Sequence, residues 1–177
     1  MRKSFTLKEH KEIYKGRIID LTVDVITTAT GIETVREVIH HTGGVALIPI
    51  LPNGQVLLVK QFRYPMQRSL LELPAGKIDP GEAPETTAAR ELEEEVGFTA
   101  GVLKKLSEFY TSPGFCDEKI FLYLAKDLEP CQSMGDDDEE IEIARYTLGE
   151  LRELIKRAEI VDAKTIIGVQ YLLLAES

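Results

Sequence analysis

The chain has 177 residues, a length that suits one domain with a sizeable core and room for a small appended unit. Hydrophobic residues make up 44 % and charged residues 29 %, an ordinary globular balance, and no apolar run approaches the length of a membrane span. A net charge of −9 argues against nucleic acid or an anionic membrane as partner, and Cys116 and Cys131 fit neither a zinc spacing nor a disulfide framework, so reduced thiols in a cytoplasmic setting are expected.

The first residues, Met1 to Glu12, are charged and lack an apolar centre, so they do not read as a signal peptide. Residues 17–27 alternate, with Leu21, Val23 and Val25 on one side and Asp20, Thr22 and Asp24 on the other, which predicts a half-buried strand. Thr28 to Gly31 reads as a turn and Glu33 to His40 as a second strand. With a short stretch near Tyr14 these make an antiparallel unit over residues 1–42 that is too small to be stable alone, so it must pack on the rest of the chain or on another copy.

Gly43-Gly44 marks the boundary to a second region, 43–177. Val45 to Leu51 is an apolar strand, Pro52-Asn53-Gly54 a hairpin turn, and Gln55 to Phe62 the return strand, with Arg63 where it ends. Leu70 to Leu73 is a short strand that leads into Pro74-Ala75-Gly76. Beyond residue 98, Leu106 to Thr111 and Lys119 to Ala125 read as strands around the loop Ser112-Pro113-Gly114-Phe115. A polar loop, 132–140, precedes the strand Ile141 to Thr147. Leu148 to Ala158 is a helix, and Asp162 caps a last one that is expected to bury Ile166, Ile167, Val169, Tyr171 and Leu174. Mixed strands with helices after them indicate an α/β fold, a three-layer α/β/α sandwich with a mixed sheet, plus the small N-terminal antiparallel β unit. His10, His40 and His41 form no catalytic dyad and read as structural.

The most informative stretch is 76–98. Pro80-Gly81 is a turn signal, and Pro84 suits the first turn of a helix, where a missing N–H costs nothing. Glu85 to Val96 holds no Gly or Pro, Ala88, Ala89, Leu92 and Val96 recur at helical spacing, and Gly97 fits the left-handed residue that ends a helix. Glu91 and Glu95 then lie one turn apart on one face, with Glu94 beside them. Like charges at that spacing destabilise an isolated helix by about 0.2–0.5 kcal/mol per pair. Arg90 can pair with Glu94, but no other cation stands between Glu82 and Lys104. Crowded carboxylates call for a divalent ion, and all-oxygen ligands favour magnesium, with manganese as a substitute.

Gly76, Glu82, Arg90, Glu91, Leu92, Glu94, Glu95 and Gly97 stand at the offsets of a Nudix box, and the stretch resembles one throughout, with Phe98 in place of the usual aliphatic residue. Pro113, sixteen residues after Gly97, resembles the mark of the ADP-ribose pyrophosphatases within that superfamily. The N-terminal strands, Gln61-Phe62-Arg63-Tyr64-Pro65 and the strand from Glu139 resemble the same family. The resemblance runs from about Lys15 to Leu174.

It implies magnesium held by Glu91, Glu94, Glu95 and the Ala75 carbonyl, and hydrolysis of ADP-ribose to AMP and ribose 5-phosphate. Arg90 and Glu82 would keep the box in register, and Gly76 and Gly97 would shape its backbone. The acidic loop Asp136 to Glu140 is no EF-hand, since Ile141 stands where that loop requires Gly. By resemblance it supplies a general base or extra metal ligand, Glu139, with Glu140 and Asp137 as alternates. Substrate contacts are implied for Arg63, Glu118, Arg17, Ile19 and Arg36. Arg63 suits phosphate oxygens through its planar fork. With no Trp in the chain, Ile18, Ile19 or Phe62 with Arg17 are the candidates for a flat contact on adenine. A homodimer, crossed or swapped through the N-terminal unit, is implied as well. The alternatives are hydrolysis of another nucleoside diphosphate derivative, a sugar nucleotide or a dinucleotide, and a non-catalytic module that binds ADP-ribose.

Overall fold

The computed structural model describes residues 5–132 and 141–175. They divide into two compact units: residues up to Gly43 with Phe109–Lys119, and Gly44–Glu108 with the described residues from Ile120 onward.

In the first unit three antiparallel strands lie in the order β1 (Phe5–Lys15), β2 (Ile19–Thr28) and β3 (Glu33–His41). The strand expected near Tyr14 as a short stretch is eleven residues long, because nearly all of β2 pairs with it, from Phe5↔Thr28 to Lys15↔Asp20. The segment after Pro113 joins β3. Ile39 N–H donates to the Phe115 carbonyl at 2.8 Å, and Asp117 N–H to the Ile39 carbonyl at 3.1 Å.

The second unit holds two sheets. One has the order β7 (Ala75–Lys77), β4 (Gly44–Pro49), β9 (Lys119–Pro130), β8 (Phe98–Tyr110); the other runs β10 (Ile141–Tyr146), β5 (Val56–Arg63), β6 (Arg68–Glu72). The expected hairpin of Val45–Leu51 with Gln55–Phe62 does not form as a ladder. Antiparallel β7 and parallel β9 already occupy both edges of β4, so the Pro52-Asn53-Gly54 turn carries the chain from one sheet to the other, with only an Ile50↔Val56 bridge between them.

Helices α1 (Pro84–Val96), α2 (Leu148–Lys156) and α3 (Ala163–Ala175) complete the unit. Successive side chains on a strand point to opposite faces. On β4, Val45 and Leu47 belong to the core cluster that contains Ala88, Leu92 and Val96 of α1. Ile48, on the other face, lies against Gly168 of α3. Helices thus cover both faces of β4, the layering expected of the α/β/α sandwich.

Two helical faces differ from the periodicity. On α1 the buried residues are Thr87, Ala88, Glu91, Leu92 and Val96, while Ala89 is exposed. Thr87 enters the interior because its hydroxyl is satisfied, donating to Glu82 Oε2 at 2.8 Å. On α3 the buried residues are Thr165, Gly168 and Val169; Tyr171 and Leu174, expected inside, are exposed, at 38 % and 73 %. The small residues bring the amino half of α3 close to the sheet and leave its carboxyl end turned outward.

A Cβ at Gly168 would fall 2.5 Å from Leu73 Cδ1 and 3.4 Å from Ile48. Leu73 is only 1 % exposed, so its methyl group would have to shift within the core. Gly168→Ala gains about 1 kcal/mol of helix propensity and loses about 1–3 kcal/mol to overpacking. We expect a net loss of about 1 kcal/mol, read as a lower denaturation midpoint in urea; a more stable variant would refute this packing.

Candidate active site

The stretch 72–98 is folded so that a strand end and a helix face each other. Proline at the first turn starts α1, and Gly97, with φ of +70°, stops it by donating its N–H to the Glu93 carbonyl at 3.0 Å. Glu91, Glu94 and Glu95 project from this helix. A Cβ on Gly76 would lie 1.9 Å from the Glu91 carboxylate, so that carboxylate occupies the space a side chain would need. Ala75 N–H donates to Glu95 Oε2 at 2.9 Å. Two of the three glutamates therefore rest on the backbone of β7.

Arg90 gathers the rest. Its Nη1 donates to Glu91 Oε1 at 2.8 Å and to Glu94 Oε2 at 2.7 Å, and its Nη2 to Glu82 Oε2 at 3.2 Å. Desolvation alone would lower the Arg90 pKa, but Glu82, Glu91 and Glu94 outweigh it and hold the guanidinium firmly charged. Arg90 in turn, with help from Thr87, keeps the Glu82 carboxyl below its usual range.

Among the described residues no three acidic, His or Cys side chains converge into a ready-made metal cage. Arg90 holds Glu91 and Glu94, and Ala75 N–H holds Glu95. The donor set nevertheless fits a hard divalent cation. It is all oxygen, it lies on one helical face, and Gly76 keeps the approach to Glu91 free of a side chain.

A second charged group stands at the end of β5. Arg63 donates through Nε and Nη2 to the two oxygens of Glu72, both at 2.8 Å, and Lys164 of α3 donates to Glu72 Oε2. Glu72 is 1 % exposed. Burial on its own would raise its pKa, but Arg63 and Lys164 outweigh that and hold it below the ordinary carboxylate range. The sequence reading passed over both Glu72 and Lys164. The available signal was a lone glutamate inside the leucine run Leu70-Leu71-Glu72-Leu73, an acid that a strand core cannot accept without a buried cation.

The remaining candidates lie in the first unit. Arg36 is exposed, donates to the Val35 carbonyl at 2.9 Å, and lines a cleft of about 390 Å³ with Leu21, Ile39, Gly114 and Phe115. Glu118 accepts from the Thr111 hydroxyl at 2.6 Å and lies 3.6 Å from His41 Nδ1. Arg17 and Ile19 stand at the β1–β2 turn, exposed together with Ile18. His10 pairs with Asp24 and His40 with Asp117, each at 2.7 Å, and burial of Asp117 is outweighed by His40, so its pKa is lowered. Glu139, Glu140 and Asp137 lie outside the described residues.

Because the pKa of Glu72 is depressed, its pairing stabilises the fold above the unfolded carboxylate value of about 4.3 and is lost as pH falls through the folded value. Glu72→Gln is expected to cost about 3 kcal/mol at pH 7, the low end for a broken buried pair because Arg63 still reaches solvent. The gap to the wild type should narrow as the pH drops toward 3. Denaturant melts along a pH series check this, and a gap independent of pH would contradict the assignment.

Comparison with known proteins agrees with this layout. The NUDIX domain model matches residues 40–167. An ADP-ribose pyrophosphatase of Bacillus subtilis is 43 % identical over 94 % of this chain and 91 % of its own. A methanol dehydrogenase activator of Bacillus methanolicus is 42 % identical over the same shares. A crystal structure of an ADP compounds hydrolase superposes with a TM-score of 0.86 over 98 % of this chain and 94 % of its own, at 24 % identity, a likeness of fold. A domain match over most of the length, a relative at this identity and a glutamate helix seated on a glycine strand converge, and the chain belongs to the Nudix family.

Proposed function

We propose that the chain hydrolyses the diphosphate of ADP-ribose with magnesium, or manganese in its place, giving AMP and ribose 5-phosphate. The observation that carries this is the seating of Glu91 on Gly76 and of Glu95 on Ala75 N–H, beside Glu94, in a chain 43 % identical to an ADP-ribose pyrophosphatase. The oxygen of water bonds to one phosphorus, the bridging P–O bond breaks, and the water's proton leaves to a base. Glu91, Glu94, Glu95 and the Ala75 carbonyl would hold the metal. When bound, it offsets negative charge on the phosphoryl oxygens and lowers the pKa of water. Arg90 keeps Glu91, Glu94 and Glu82 in fixed relative positions, a supporting role of the kind outer ligand partners play. Arg63 offers a guanidinium to the phosphates. Glu139, given the role of base by resemblance, lies outside the described residues.

A substrate panel of ADP-ribose, a sugar nucleotide and a dinucleotide, assayed for AMP release with and without magnesium, tests the reading. AMP from ADP-ribose only when magnesium is present is the expected result, and Glu95→Gln should lower turnover by orders of magnitude with the fold intact. Near-normal turnover in Glu95→Gln would remove the ligand assignment. Faster release from another substrate would replace ADP-ribose, and binding without product would turn the protein into a binding module.

A homodimer through the first unit belongs to the same proposal, as does a reducing, cytoplasmic setting for the free thiols of Cys116 and Cys131. Support for the dimer comes from Phe5, Leu7, Ile13, Tyr14 and Val35, large apolar side chains on β1 and β3 that a single copy leaves about half exposed. Sedimentation should give twice the mass of one chain at micromolar concentration; a monomer there would end the dimer proposal.

A further inference from the structure

A long arginine that is to meet a phosphate in one orientation must first be held in it, against about 2 kcal/mol of rotamer freedom. Arg63 is the last residue of β5, followed by the 3-10 turn Tyr64–Met66. In the strand register it opposes Arg68, while Glu72 opposes Val59, so Arg63 and Glu72 meet only by lying along the sheet toward one another. They meet as a fork: Nε on one carboxylate oxygen and Nη2 on the other, both at 2.8 Å. The side chain of Arg63 stays 37 % exposed, and the Glu95 carboxylate acts on its guanidinium from the box helix.

Glu72 is not placed by Arg63 alone. Lys164, with a side chain only 12 % exposed, donates to Glu72 Oε2 and lies 3.1 Å from Asp162 Oδ1. Asp162 Oδ2 accepts from the Thr165 hydroxyl at 2.6 Å and from Thr165 N–H at 3.0 Å. The Thr165 oxygen accepts in turn from Leu73 N–H at 2.8 Å. Two cations and two carboxylates alternate in the line Arg63, Glu72, Lys164, Asp162, and the first turn of α3 is bonded to both Glu72 and the residue after it.

We propose that Glu72 and Lys164 are positioning residues for Arg63, so that the amino end of the last helix sets how this arginine is presented to the phosphates of the substrate. The inference rests on the reading of the site as a nucleoside diphosphate hydrolase. Lys164 fixes one rotamer of Glu72, and Glu72 fixes the plane of the guanidinium. Without Lys164 the Glu72 carboxylate is free to turn, and Arg63 loses its single orientation while keeping its charge.

The test uses the full-length protein and a double-mutant cycle of Lys164→Met with Arg63→Ala. Lys164→Met leaves Glu72 on Arg63 and Asp162 on Thr165, so the fold should persist; if it does not, Lys164→Gln, which can still donate one hydrogen bond, replaces it. The expected result is a rise of about tenfold in KM with kcat within about twofold. The dissociation constant of a methylene-bridged, non-cleavable ADP-ribose analogue should rise in parallel. In the Arg63→Ala background the Lys164 change should add nothing. An unchanged KM and analogue affinity, or an effect that adds in full to that of Arg63→Ala, overturns the inference, since a plain structural tie lowers only the melting temperature and the amount of folded enzyme. A wild-type protein that neither binds the analogue nor releases AMP overturns the reading of the site, and the inference with it.

Discussion

The Glu91 carboxylate lies where residue 76 would otherwise carry a side chain, and much of the second unit follows from that exchange. Glu91 is 8 % exposed, and a carboxylate so far from water needs compensation. Arg90 supplies it at 2.8 Å but is shared with Glu82 and Glu94. Three carboxylates thus share one guanidinium, which leaves an excess of negative charge on this helix face. A divalent cation would offset most of that excess. The adjoining strand comes close as well, through backbone. Gly76 opposes Val45 and Lys77 opposes Gly44, and a Cβ on Gly44 would come within 2.9 Å of the Gly76 carbonyl.

The box was legible because each of its signals is local. Proline at a helix start, glycine at its end and glutamates a turn apart are read within about fifteen residues, without knowing what packs on them. The sheet partners were not legible in that way. Val45 to Leu51 and Gln55 to Phe62 flank a good hairpin turn, and β7 together with β9, both further along the chain, decides that β4 pairs elsewhere. The buried face of α3 was misjudged for a related reason. Counting large apolar residues selects Tyr171 and Leu174, whereas the contact is made by Thr165 and Gly168, which are small enough to let the helix approach. Thr87 displaced Ala89 on α1 because the polar atom found Glu82, and a hydroxyl with a partner can occupy a core position that composition alone would assign to an alanine. The role of Glu72 depends on Lys164, 92 residues later, and no window on the sequence joins them.

For a chain with a net charge of −9 and 21 lysines and arginines, binding an anion depends on where particular cations stand. Arg90 and Lys164 are both engaged with carboxylates inside the second unit, and they contribute order there rather than net positive field. Arg63 is tied to Glu72 through two of its nitrogens and, like Arg90 and unlike Lys164, keeps part of its side chain open to solvent. Screening by salt weakens charges acting across solvent far more than charges in contact. For such a protein the attraction of an anionic ligand is therefore a contact effect, carried by a metal and by oriented donors, with little long-range steering.

The two sets of groups, acidic and basic, are indexed to the same five residues. Glu72 holds Arg63 and Lys164; Leu73 N–H is bound by Thr165; the Pro74 carbonyl accepts from Leu47 N–H at 2.9 Å; Ala75 N–H holds Glu95; and Gly76 makes room for Glu91. Along 72–76 each residue has a side chain, a backbone group or a missing side chain committed to a different neighbour. A displacement of this strand end by a fraction of an ångström would carry the guanidinium and the carboxylates together, preserving their spacing, whereas a change at either anchor would move one set against the other. Reacting groups need their mutual distances held more tightly than their distance from the rest of the molecule. Tying both sets to one short segment, itself clamped between β4 and α3, meets that requirement with backbone geometry rather than with a large rigid core.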